Sequence, residues 1–273
     1  MEAATGFAGV NGTRLHFETR GTGASVLFIH GFTLDHRMWS GQVAALATAG
    51  FRAVAYDGRG FGRSALPSTE AYRHCDDAAA LIEHLGCGPA LVVGHSIGAL
   101  YALEVALSRP DLVAGVACVC PSGLGVPFTP DLLAMFAALR AAAAGEGLAA
   151  AKQIWTRSGW FLPLREVAEL AAELDAMVAD YTGWHWTHDN PAKNIDPPAD
   201  ARLEQLTAPT LVIGGERDLP YNHAVAAVLA RRIPGARHVH VAGGSHMAAM
   251  DRPLPINEAI ADMARSCLAQ SRR

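Results

Sequence analysis

The sequence predicts an α/β protein in which a mostly parallel sheet is flanked by helices and carries one helical insertion. Three observations predict it. Short apolar runs rich in β-branched residues alternate with longer helical patterns, the order that joins parallel strands through crossover helices. Most of these runs are apolar throughout, as strands buried on both faces are. Between two of them lie roughly 80 residues without a convincing strand pattern, far more than a connecting loop requires.

Taken in order, residues 13–19 alternate like an edge strand behind the turn signal Asn11-Gly12. Runs at 25–30, 53–57, 89–93, 113–119, 210–214 and 237–241 suit buried strands, and helical patterns fall at 39–49, 71–85, 97–109, 223–232 and 255–266. The stretch 123–201 is Ala-rich and studded with Pro and Trp, with helical patterns at 129–144, 148–157 and 164–181. It is expected to form a cap over the carboxyl edge of the sheet, where ligands bind in open α/β sheets. The expected division is a core of residues 1–122 and 202–273 and a cap of residues 123–201.

Composition narrows the function classes. Of 273 residues, 51% are hydrophobic and 18% charged, which favours a well-buried core over disorder. The net charge of −4, without a long run of one sign, argues against nucleic acid or an anionic membrane as partner. The opening Met-Glu-Ala-Ala-Thr-Gly-Phe lacks the pattern of a secretion signal, and no apolar run approaches the roughly 20 residues of a membrane span. Cys75, Cys87, Cys118, Cys120 and Cys267 are odd in number and scattered, as free thiols of a reducing compartment are. A soluble cytoplasmic protein acting on a small-molecule substrate is expected. Its oligomeric state is not legible, and a homo-oligomer stays open.

The chemistry starts at Gly94-His95-Ser96-Ile97-Gly98, between an apolar run and a helical pattern. A strand-to-helix turn of this kind exposes a serine hydroxyl, and the glycines on either side admit the crowding. Ser96 then needs a base, an orienting acid and an oxyanion site. His246 follows the last strand on Gly243-Gly244-Ser245-His246, and Asp218 follows the preceding one on Gly215-Glu216-Arg217-Asp218. The order Ser96, Asp218, His246 suits this architecture. Asp218 is the better acid because it stands further along its loop, although spacing leaves Glu216 open. Oxyanion donors are expected at the backbone N–H groups of Ile97, next to the nucleophile, and of Phe32, after the run Val26-Leu27-Phe28-Ile29-His30-Gly31. His95 is expected to point away from the nucleophile and pack.

Taken together, His30-Gly31-Phe32, Asp57-Gly58-Arg59-Gly60-Phe61-Gly62-Arg63-Ser64, the Ser96 elbow, Gly215 to Asp218 and Gly244-Ser245-His246 resemble the α/β-hydrolase superfamily. The resemblance implies an eight-stranded α/β-hydrolase fold with a lid at the insertion and a triad of Ser96, Asp218 and His246 that uses no cofactor. It also makes Asp57 to Ser64 a structural turn, whose alternating glycines do not fit a nucleotide-binding G-x-G-x-x-G. The segment Phe32 to Trp39 is similar to the enol-lactonase and small-ester hydrolase branch, so small apolar esters or lactones are the expected substrates. A serine at the elbow departs from epoxide hydrolases and haloalkane dehalogenases, which use an aspartate there. Cleavage of a C–C bond in a diketone-like ring-cleavage product, perhydrolysis, and non-catalytic small-molecule binding on the same fold are the alternatives.

The insertion also holds Phe161 and Trp155, Trp160, Trp184 and Trp186, four of the five tryptophans. They either pack the cap onto the core or line an aromatic pocket over Ser96. His185 and His188, three apart, are candidates for polar contact with substrate. No acidic or cysteine partner lies near them in sequence, and no metal site is expected.

Overall fold

The computed structural model describes residues 3–270 and contains one eight-stranded sheet in the order β1-β2-β4-β3-β5-β6-β7-β8. Its strands are β1 (Ala4–Val10), β2 (Thr13–Arg20), β3 (Ser25–Ile29), β4 (Arg52–Tyr56), β5 (Ala90–His95), β6 (Val113–Val119), β7 (Thr210–Gly215) and β8 (Arg237–Val241). The pairs β1–β2 and β2–β4 are antiparallel and every later pair is parallel. The carboxyl ends of β3 and β5 to β8 therefore share one edge, and the loops that follow them converge there.

The apolar runs have a direct cause. Strands β3, β5 and β7 are buried at every position, because helices cover both faces of the sheet. Leu91, Val92 and Val93 are fully buried, each contributing about 1.5–3 kcal/mol relative to an exposed side chain. The covering helices include α1 (Ser40–Thr48), α2 (His74–His84) and α3 (Ile97–Ser108).

Residues 13–19 do not form the sheet edge. Strand β2 lies between β1 and β4, and β1 is the edge. In β1, Ala-Thr-Gly-Phe-Ala-Gly-Val, only Ala8 is buried, so no apolar alternation marks it. Its register with β2 comes from the tight turn at Asn11 and Gly12, both at positive φ (47° and 67°).

Between β6 and β7 the chain is helical: α4 (Pro130–Gly145), α5 (Leu148–Thr156), α6 (Ala168–Asp180) and the single turn α7 (Trp184–Thr187). Thr129 caps α4 by accepting the Leu132 N–H, with Pro130 in the first turn. Three further helices, α8 (Pro220–Arg232), α9 (Ala248–Asp251) and α10 (Pro253–Gln270), complete the fold. All five cysteines are buried free thiols. Among the described residues no helix is long and apolar enough to cross a membrane.

Candidate active site

Ser96 sits between β5 and α3 at φ 55°, ψ −120°. The turn is tight enough that a side chain two residues to either side would collide with backbone. A Cβ on Gly94 would lie 2.1 Å from the Gly98 carbonyl oxygen, and one on Gly98 would lie 2.6 Å from the His30 carbonyl oxygen. The elbow is fixed from behind, since the Ser96 N–H donates to the Val119 carbonyl at 3.0 Å.

His246 arrives on the loop after β8. Its Nε2 stands 3.1 Å from Ser96 Oγ, and its Nδ1 stands 3.0 Å from each oxygen of the Asp218 carboxylate. An ionised carboxylate only accepts, which puts the ring proton on Nδ1 and leaves Nε2 as acceptor toward the serine hydroxyl. Both His246 and Asp218 are buried, so water competes little for these bonds. Asp218 is aimed by its own loop: its N–H donates to Gly215, and its Oδ1 accepts the Leu219 N–H at 2.7 Å. Glu216 faces elsewhere, accepting the Gly243 N–H at 2.7 Å. The loop spacing alone leaves these two carboxylates undivided, and the geometry divides them.

His95 is buried and donates from Nε2 to the His246 carbonyl at 2.8 Å, which ties the elbow strand to the histidine loop. Cys120 lies beside the same pair, its donor atom within 4.8 Å of those of Asp218 and His246. Burial pushes its thiol well up, so Cys120 is a neutral packing group there.

Ile97 opens α3, where first-turn N–H groups have no partner within the helix. Phe32 follows β3 on a loop braced by His30. The His30 ring accepts the Gly58 N–H at 2.9 Å and donates to the Gly31 carbonyl at 2.7 Å. Burial lowers its pKa, in keeping with a neutral brace. Behind it, Asp57 organises the glycine-rich turn. Its carboxylate accepts from His16 Nδ1 at 3.1 Å, His36 Nδ1 at 2.7 Å, and the His36 and Arg63 backbone N–H groups. Burial alone would raise that carboxyl; the two histidine bonds outweigh it and hold it well below the usual carboxylate range.

Over Ser96 the helical segment closes a cavity of about 430 Å³. Its lining takes in Ser96 and His246, the core residues Phe32 and Ile97, and Trp155, Trp160, His185 and Trp186 from the segment. The only side chain with a fixed charge in that lining is the exposed Arg140 of α4, so the interior is suited to apolar ligands. Burial lowers the His185 pKa to about 4, which keeps this ring neutral, and its Nδ1 pairs with the Tyr181 hydroxyl at 2.9 Å.

Two expected pocket residues lie elsewhere. Trp184 and His188 stack on each other at 5.2 Å and 4° and line a separate surface cleft with Pro67 and Pro191. Trp184 opens the one-turn α7 and His188 follows its end in extended conformation, and their stacked pair lies outside the cavity lining to which His185 and Trp186 contribute. Phe161, grouped in sequence with the tryptophans of the insertion, does line the cavity, and Phe128, Leu133, Phe136 and Leu139 line it without having been singled out by sequence. Helix α4 carries apolar residues on too many sides for one stripe to stand out, because part of it faces the cavity rather than the core.

Comparison with known proteins adds context to this geometry. The family model described as alpha/beta hydrolase fold matches residues 24–253. An epoxide hydrolase of Caballeronia sordidicola is 40% identical over 122 residues, which is 43% of this chain but only 36% of that relative's length. The crystal structure of the enol-lactonase from Burkholderia xenovorans LB400 superposes with a TM-score of 0.80 at 25% identity, covering 94% of this chain and 99% of the other. A thermophilic esterase from Thermogutta terrifontis gives 0.77 at 25% identity, covering 97% and 99%.

Proposed function

The chain belongs to the alpha/beta hydrolase fold family, and on that footing we propose that it is a cofactor-free serine hydrolase of small apolar esters or lactones, working through an acyl-enzyme. The observation that carries this reading is the line Asp218–His246–Ser96, with steps of 3.0 Å and 3.1 Å. A protein that only binds a ligand has no need of that alignment.

In the proposed reaction His246 Nε2 takes the Ser96 proton as Oγ attacks the carbonyl carbon. Asp218 fixes the imidazole orientation and stabilises the imidazolium. The Phe32 and Ile97 N–H groups hold the oxyanion, each worth roughly 2.7–4 kcal/mol in the transition state. His246 then returns the proton to the leaving alcohol or enol oxygen, and in the second half-reaction activates the water that releases the acid.

The aromatic cavity supports a small apolar acyl group or ring, and the likeness to an enol-lactonase and an esterase supports the bond type. Epoxide opening by a carboxylate nucleophile would need an acid at the elbow, where this chain has Ser96. The test is turnover of a panel of short-chain esters and lactones by wild type and Ser96→Ala. Turnover by the wild type alone supports the reading; equal rates from both proteins contradict it.

A further inference from the structure

Four residues, Gly31 to Leu34, form a turn closed by the Leu34 N–H on the Gly31 carbonyl at 3.3 Å. Its third residue, Thr33, has φ +64°. That position with positive φ normally takes glycine or asparagine, and a β-branched side chain there is strained. Strain of this kind persists only where the surroundings impose it. Thr33 is buried, and its hydroxyl accepts the indole N–H of Trp155 at 2.6 Å across 122 residues of sequence. Trp155 is itself buried on α5, and its ring meets Phe32 edge-on at 5.7 Å and 89°.

We propose that Trp155 is a positioning residue for the oxyanion loop, its N–H bond to Thr33 holding the strained turn in the conformation that aims the Phe32 N–H. Without the bond, the Thr33 hydroxyl is a buried group lacking its partner, and the turn is free to relax toward negative φ at Thr33. Relaxation turns the Phe32–Thr33 peptide and displaces the neighbouring Phe32 N–H. The segment between β6 and β7 thereby does more than wall the cavity: seating α5 completes the oxyanion site. The inference rests on the hydrolase reading.

The variants are Trp155→Phe, which keeps an aromatic ring and removes the N–H, and Thr33→Val, which keeps the branched shape and removes the hydroxyl. Each is assayed on one ester turned over by the wild type and titrated with a trifluoromethyl ketone, which forms a tetrahedral oxyanion adduct with the serine. Each single variant is expected to lower kcat about tenfold to a hundredfold, with KM within about threefold and ketone affinity falling in parallel. The double variant is expected to be no worse than either single one. A raised KM with unchanged kcat, or additive losses in the double variant, overturns the inference and leaves Trp155 a pocket wall. Thr33→Val decides the matter should Trp155→Phe fail to fold. Labelling of wild-type Ser96 by a fluorophosphonate separates the two failures: if it labels and the variants match wild type, only this inference falls. If the wild type does not label, the hydrolase reading falls and takes the inference with it.

Discussion

The Asp218 carboxylate faces His246 Nδ1 with both oxygens at the same 3.0 Å. Replacing it with an amide offers the ring an N–H where it needs an acceptor, or forces the other tautomer and removes the base from Ser96. Asp218→Asn is predicted to lower kcat about 10⁴-fold. Glu216→Gln, which touches Gly243 rather than the histidine, is predicted to stay within a few fold of wild type. Steady-state kinetics of both variants on one ester checks this, and the reverse ranking would reassign the acid.

Asp57 is the structural counterpart of Asp218. Its two oxygens satisfy two imidazoles and two backbone N–H groups in the interior. Asp57→Ala is predicted to cost about 3–5 kcal/mol, seen as a Tm lowered by roughly 10 °C. Asp218→Asn keeps its shape and is predicted to move Tm by only a few degrees. Thermal melts of the two variants separate folding from chemistry.

Glu104 on α3 is fully buried and accepts the Ile195 N–H at 3.1 Å, at the return of the helical segment to the core. Burial pushes its pKa from 4.5 up to about 7. The folded protein therefore binds this proton more tightly than the unfolded chain does. The stability it contributes is complete below pH 4.5 and is lost as pH rises to about 7. The Tm of wild type is predicted to fall relative to Glu104→Gln across that window. Parallel Tm-against-pH curves would contradict the assignment.

Trp186 is half-buried and walls the cavity, edge-on to Tyr181 at 5.0 Å. Trp186→Ala is predicted to shift the preferred acyl chain to a longer one and to lower kcat/KM for short esters by about tenfold or more. A p-nitrophenyl ester series from acetate to decanoate reads this directly. An unchanged chain-length profile would mean that Trp186 does not bound the acyl site.

The sequence makes the sheet interior and the Ser96, Asp218 and His246 positions legible. Ser96 and Asp218 follow apolar runs buried throughout, and parallel runs end on one edge. His246 follows residues 237–241, which form the edge strand β8 with only Val241 buried, not the doubly covered strand expected there, because no further strand lies beyond it. Strand β1 is not legible, because an edge held by main-chain bonds needs no apolar pattern, and Gly6 and Gly9 supply none. The cavity wall is only partly legible. Trp184 and Trp186 are two residues apart on a single turn of helix, and composition does not tell which of them faces inward. The Thr33–Trp155 bond has no local signature at all, since Thr33 in sequence is an ordinary loop residue and its partner is 122 positions away.

The proposed reaction depends on Ser96 as an activated nucleophile. Intact-mass spectrometry after exposure to a fluorophosphonate tests it most directly, with Ser96→Ala alongside. One adduct per wild-type chain, mapped to Ser96, and none on the variant is the expected result. No adduct on a folded wild type, or equal labelling of both proteins, would contradict it.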